Sequence, residues 1–419
     1  MLKALSLQFR LPNLKRFRTV SIYFGAYFII AILSFGGISV LTHKLSPYDY
    51  GIINLYSSAI PLLTPFISAG IIFPVTVEYY KKTKDEYNQF FTNAQAITLI
   101  SLVFFSFIFI VFHQPLSKFL RVPSQWIIVL PLTVWFLMHT EIALSMYRMK
   151  NRPWGFAIFS VGKNLVEILL AIGLVIGLHW SWEGRLLPAV ISPILFGAFA
   201  IYLLFRWQLI IKEINWKEVR RIAWVCSPFI FERLTVFVLA NSDRYFIDKF
   251  DLKSTEQVGL YGVGAQVTTI ISFVILSVNS AYQPYIFQNL ATGNKRHVKK
   301  GTLLYILATG VAVAGLFLIS PFFFRFFIGK SFGDAQVFVY YMSGGYFMWG
   351  VYNAFLAYLL FHGKNRLILY FSLIGMAVSV LLNFYLVPQY GAYGAAITGI
   401  LTYTVMAAIC MIFSWKYFK

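Results

Sequence analysis

Eight ionisable side chains fall inside or at the rim of long apolar stretches: His139, Glu141, Lys163, Glu167, Glu232, Arg233, Asp243 and Arg244. Within a bilayer each such group costs about 2.5–3.5 kcal/mol on insertion scales, so it faces water or a partner. Lys163 and Glu167 are four residues apart and share one helix face. They read either as a mutually neutralised pair or as a wall cation that its partner releases to an arriving anion. Glu141, at comparable depth, is a second candidate partner for Lys163. Glu232 and Arg233 are adjacent, which splays them by about 100° and predicts separate environments. Arg233 stands about eleven residues, or ~17 Å, into its helix, too deep to snorkel, and is predicted to line water. A guanidinium there offers a bidentate grip on phosphate oxygens. Asp243 and Arg244, near the end of the same helix, read as interfacial anchors, a gate pair or a release site. The anion-binding candidates are therefore Arg233, Lys163 and Arg244, and the coupling or gating candidates are Glu167, Glu141, Asp243 and Glu232.

Nothing in this set resembles machinery for covalent chemistry. There is no His-Glu-x-x-His and no paired-Asp motif, and Cys226 and Cys410 lie alone in apolar runs. The sequence calls for no catalytic residue, no metal and no cofactor. A lone His139 near a helix end reads as a structural residue more readily than as a proton relay.

The elements that carry these residues are set by composition. Hydrophobic residues make up 59% of the 419 and charged residues 12%, against about 25% charged in soluble domains. Apolar windows long enough to cross about 30 Å of hydrocarbon occur near 20–42, 52–77, 91–112, 126–147, 155–178, 185–206, 222–247, 260–288, 301–324, 335–361, 366–387 and 392–415. The net charge of +20 would suit a nucleic-acid binder, but the cations sit in short loops between apolar runs, which excludes that class. With the N-terminus inside, 24 of the 35 Lys and Arg fall on the cytoplasmic side and 9 outside.

Two segments repeat. Ser46-Pro-Tyr-Asp-Tyr-Gly51 returns as Ser254-Thr-Glu-Gln-Val-Gly259 at an offset of 208, and Trp182-Glu-Gly184 as Ala392-Tyr-Gly394 at 210. Duplication of a six-helix unit gives a parallel repeat about an axis along the membrane normal. The predicted fold is an all-α polytopic membrane protein of twelve transmembrane helices. It has two six-helix bundles, 1–206 and 222–419, joined by a linker at 207–221 around a V-shaped central cavity.

The run Glu232-Arg233 through Asn241-Ser-Asp243-Arg244-Tyr-Phe-Ile247, then Val258-Gly-Leu-Tyr261 and Tyr282-Gln-Pro-Tyr285, resembles the seventh and eighth helices of polysaccharide repeat-unit flippases. These are the O-antigen and capsule translocases of the multidrug/oligosaccharidyl-lipid/polysaccharide exporter superfamily. Pro388-Gln-Tyr-Gly391-Ala-Tyr-Gly394 resembles their last helix junction, and Leu45-Ser-Pro-Tyr-Asp-Tyr-Gly51 their first outer loop. The resemblance implies a non-enzymatic carrier of the bacterial inner membrane that turns an undecaprenyl-diphosphate-linked oligosaccharide to the periplasmic leaflet. Its partners would be that substrate, membrane lipid, a polysaccharide polymerase and a chain-length regulator, with no nucleic acid. The alternatives are a cation-coupled drug exporter and a peptidoglycan-precursor lipid flippase of the same superfamily. The cation asymmetry makes the first testable statement: cysteine accessibility will place both termini and the Lys295–Lys300 loop in the cytoplasm, and labelling of that loop from outside intact cells would reverse the orientation.

Overall fold

A computed structural model describes residues 14–210, 213–251 and 254–418, which form fifteen α-helices and, among the described residues, no strand. The predicted cytoplasmic cations Lys3, Arg10 and Lys212 lie outside the described residues. The helices are α1 (Leu14–Thr42), α2 (Pro47–Ile67), α3 (Ile72–Lys81), α4 (Lys84–Val111) and α5 (His113–Leu120). Then follow α6 (Ser124–Met149), α7 (Pro153–Ile172), α8 (Glu183–Arg206), α9 (Trp216–Asn241) and α10 (Asp243–Phe250). The chain ends with α11 (Ser254–Ala291), α12 (Lys295–Phe327), α13 (Ala335–Phe361), α14 (Asn365–Tyr390) and α15 (Ala392–Phe418). Eleven of these are long and apolar enough to cross a membrane, and the protein is a multi-pass integral membrane protein. The predicted tenth span, 335–361, is helical throughout as α13 and is not among these eleven.

Two predicted spans are broken: 222–247 divides at Ser242 between α9 and α10, so Asp243 and Arg244 open α10 and do not share the helix of Arg233. The window 52–77 is not one helix: α2 ends at Ile67 and α3 starts at Ile72, because Ala69 and Gly70 both take positive φ, 46° and 72°. Glycine is required at position 70 for a second reason. A Cβ there would stand 2.5 Å from the carbonyl oxygen of Cys226, so α9 approaches too closely for a side chain. The prolines do not supply the breaks. Helices α2, α6, α8 and α11 run through Pro61 and Pro65, Pro131, Pro188 and Pro193, and Pro284 respectively.

The chain forms two compact units, and they are drawn differently from the predicted 1–206 and 222–419. Of the described residues, the first contains those in 14–41, 63–117 and 123–230, and the second those in 42–62, 118–122 and 231–418. Described residues of the segment 207–221 pack in the first unit. Leu209, Val219 and Ile222 are buried in the first unit's core with Phe91, Met138 and Met146, and Asn215 N donates to Asn93 Oδ1 at 2.9 Å.

Residues 42–62 join the second unit for a reason visible in the repeated segment. Ser46 and Asp49 form a reciprocal capping box, Ser46 N donating to Asp49 Oδ2 at 2.9 Å and Asp49 N to Ser46 Oγ at 3.2 Å, with Pro47 as first helical residue. The cap starts α2 so that Gly51 meets its repeat counterpart. A Cβ on Gly51 would fall on the Thr255 carbonyl, and a Cβ on Gly259 would fall on the Pro47 carbonyl. Positions 47 and 255, like 51 and 259, are 208 residues apart. The contact is therefore reciprocal, as across a two-fold axis between like surfaces. A Cβ at Gly262 would likewise meet the Asn54 side chain, again a pair 208 apart. Cysteines replacing Asn54 and Gly262 should join as a disulfide on mild oxidation in membranes, and Gly51→Leu in that background should abolish the bond by forcing α2 from α11. Unchanged cross-linking in the Gly51→Leu variant would show that the close approach is dispensable.

Candidate functional site

In the first unit, Lys163 and Glu167 do pair: Nζ lies 3.8 Å from Oε2, on one face of α7. A third member was not foreseen. Arg185, in the first turn of α8, donates from Nη1 to Glu167 Oε1 at 2.9 Å. Arg185, the first residue of the predicted window 185–206, is folded back beside α7. All three are largely buried, at 15%, 16% and 26% side-chain exposure. One acid between two cations leaves one positive charge in excess, and the shorter contact goes to Arg185. Loss of Lys163 to another anion therefore does not strand Glu167 as an unpaired acid. Glu141, the alternative partner, is exposed on α6, and the acid paired with Lys163 is Glu167.

Glu232 and Arg233 do share one environment, contrary to the divergence expected of neighbours. Arg233 Nε lies 3.4 Å from Glu232 Oε2, the two side chains being 54% and 51% exposed. Both are long and about half exposed, so they bend around the helix surface to meet. At such exposure in water an ion pair contributes about 0.2–1 kcal/mol, a hold that a better anion can replace. His139 is a structural residue: it is buried, with Nδ1 2.8 Å from Trp135 O and Nε2 2.9 Å from Gln95 Oε1. A neutral imidazole donating to the Trp135 carbonyl needs a donor at Nε2, which Gln95 supplies when its amide is turned to present its nitrogen.

The second unit encloses a cavity of about 480 Å³, walled by Asp243, Arg244, Tyr261, Tyr346, Trp349 and Tyr403 among others. Asp243 accepts a hydrogen bond from Tyr261 and stands 3.9 Å from Arg244 Nη1. The same nitrogen donates to Asn241 Oδ1 at 3.0 Å and to Ala240 O at 3.2 Å. Sequence reasoning found Asp243 and Arg244 but none of the aromatic wall, since single Tyr and Trp residues in apolar helices carry no signal of a shared space. Near the end of the unit that holds the glycine contact, Asp248 accepts from Thr255 Oγ1 at 3.2 Å and faces Arg121 Nε at 3.3 Å. Burial pushes the Asp248 carboxyl above the usual carboxylate range, outweighing the Thr255 hydrogen bond and the Arg121 charge. Gly329 N donates to Thr42 Oγ1 at 3.1 Å in the same unit. Gly329 opens a Gly-Lys-Ser-Phe-Gly run, but α12 precedes it where a serine nucleophile elbow requires a strand, and no base adjoins Ser331 among the described contacts.

The fold and its charges define an all-α multi-pass membrane protein with paired charges held inside its helices. Residues 17–290 match the family described as polysaccharide biosynthesis protein, and the chain belongs to that family. Residues 228–385 also match the MatE family. An uncharacterized membrane protein of Haemophilus influenzae is 24% identical over 345 residues, covering 81% of this chain and 82% of its own. The fold is shared with the lipid II flippase MurJ in an inward closed conformation, at TM-score 0.77 and 15% identity over 94% of this chain and 87% of that one. It is shared too with an inward-facing multidrug resistance MATE family transporter, at TM-score 0.72 and 12% identity over 92% and 94%. The chain is thus a member of the polysaccharide biosynthesis protein family with a fold that a lipid flippase and a multidrug transporter share.

The first unit's charge triad makes an asymmetric prediction for thermal unfolding in detergent. Glu167→Gln leaves two neighbouring cations uncompensated and should destabilise by about 1–3 kcal/mol, below a fully buried pair because the groups are partly exposed. Lys163→Met leaves a neutral Glu167–Arg185 pair and should unfold close to wild type. Equal losses in the two variants would remove Arg185 as the principal partner.

Proposed function

We propose that this protein flips an undecaprenyl-diphosphate-linked oligosaccharide, the repeat unit of O-antigen or another surface polysaccharide, from the cytoplasmic to the periplasmic leaflet. The observation that carries this reading is the excess positive charge of Lys163, Glu167 and Arg185, in a chain of the polysaccharide biosynthesis family. A diphosphate leaving water for a low-dielectric interior loses hydration that fixed cations can replace. In this reading Arg233 and Lys163 are each cations open to phosphate oxygens, Arg233 by exchanging its weak bond to Glu232 for a bidentate contact and Lys163 because Arg185 retains Glu167. The prenyl chain stays in lipid, and no bond is made or broken.

Movement between the leaflets is alternating access in the bacterial inner membrane, with both termini cytoplasmic. In that orientation the Gly51–Gly259 contact and the Arg121–Asp248 ion pair are on the periplasmic side, where opening would release the headgroup. Glu167, Glu141, Glu232 and Asp243 remain the acids through which a coupling ion would act, and a polymerase and chain-length regulator would receive the product. A cation-coupled exporter is the second reading, favoured by the MatE match over 228–385.

Arg233→Ala should abolish surface polysaccharide at normal membrane abundance, whereas Arg233→Lys should restore part of it, because charge persists without the fork. Surface polysaccharide is measured by immunoblot against protein quantified in membranes. Full polysaccharide in the Arg233→Ala strain would remove Arg233 from the mechanism.

A further inference from the structure

The diphosphate reading leaves the second unit's cavity without an occupant, and its wall has a distinct chemistry. The volume of about 480 Å³ lies within the range of about 300–1,000 Å³ typical of small-molecule sites. Five aromatic side chains face it: Tyr261, Tyr346, Trp349, Tyr352 and Tyr403. Each offers a flat apolar face with a polar handle at its edge. Asp243 and Arg244 contribute acceptors and donors, and as an ion pair 3.9 Å apart they add no net charge. The described hydrogen bonds of the Arg244 side chain all run through Nη1.

We infer that this cavity is a subsite for one neutral sugar ring of the transported oligosaccharide, the aromatic faces covering its C–H surfaces and Asp243 and Arg244 meeting its hydroxyls. The inference rests on the flippase reading above and adds a sugar-recognition role to it. An anion is disfavoured because Asp243 cancels Arg244, and an organic cation because Arg244 cancels Asp243. A prenyl tail is disfavoured because it would dehydrate both charges and return no hydrogen bond. A hydroxylated ring with two apolar faces satisfies both halves of the wall. Arg244 is thereby moved from the diphosphate to the sugar.

Room for the ring is kept at Gly399 on α15. A Cβ there meets nothing within 4 Å, so the space beside it is open. Gly399→Leu therefore fills the cavity while leaving its charged groups untouched, and Gly399→Ala tests that the backbone tolerates a side chain.

The test is saturation-transfer NMR on the full chain in nanodiscs with methyl hexopyranosides, with tetraphenylphosphonium and inorganic pyrophosphate as rival probes. Ring-proton signals are expected from the hexosides, with affinity falling about tenfold or more, at least 1.4 kcal/mol, in Gly399→Leu and in Trp349→Ala. Gly399→Ala should keep them, and monodisperse particles confirm that each variant is folded. A signal from tetraphenylphosphonium or pyrophosphate that Gly399→Leu removes, with none from any hexoside, overturns the inference. In cells, Gly399→Leu should reduce surface polysaccharide. Normal polysaccharide in Gly399→Leu but none in Arg233→Ala overturns the sugar subsite and leaves the flippase reading standing. Normal polysaccharide in Arg233→Ala instead removes Arg233 from the flippase mechanism and leaves the sugar subsite to stand or fall on the NMR result.

Discussion

Desolvation of charge governs this protein more than any single contact. A helix interior surrounded by hydrocarbon offers an ionised side chain no water, so the few that it carries must be paired, cradled by polar groups or turned toward a wet space. Lys163, Glu167 and Arg185 meet the requirement by clustering. Asp243 meets it through Tyr261 and Arg244. Glu232 and Arg233 combine a pair with exposure. These are three solutions of graded firmness, and the gradation has functional content. A firmly held acid keeps its partner cations in place, while in the proposed function a loosely held arginine exchanges an intramolecular carboxylate for a ligand's phosphate.

Backbone proximity is the second organising device. Gly51 and Gly259 let α2 and α11 touch through carbonyl oxygens that any side chain would displace. Because the contacting positions are repeat counterparts, the duplicated sequence is a duplicated surface that packs against its own copy. Residues 42–62 consequently belong with the second compact unit although they precede most of the first. A similar crossing occurs in α9, whose early residues Val219, Ile222 and Cys226 are core to the first unit while the helix continues into the second.

The all-helical architecture was legible because hydrocarbon thickness imposes a length and a composition on every span, and both are one-dimensional properties. The Lys163–Glu167 pair was legible because a four-residue spacing fixes two side chains on one face. Arg185 was hidden: its partner lies 18 residues away, and only the packing of α8 on α7 brings them together. The bend of Glu232 toward Arg233 was hidden because helical geometry fixes the direction of Cβ and not the course of a long, half-exposed side chain. The break at Ala69–Gly70 was hidden in an apolar run that reads as continuous, since the positive φ of the two residues and the close pass of Cys226 beside Gly70 belong to the folded chain and not to hydropathy.

By itself, then, the sequence determined which stretches enter the membrane, where the copies of the repeated segment lie and which ionisable groups must find partners, because hydropathy, spacing and charge are local quantities. Tertiary structure decided which partner each charge takes, which glycines form a helix crossing and which aromatic residues enclose one space. Those outcomes depend on distances between helices remote in sequence, set by close packing that no single segment encodes.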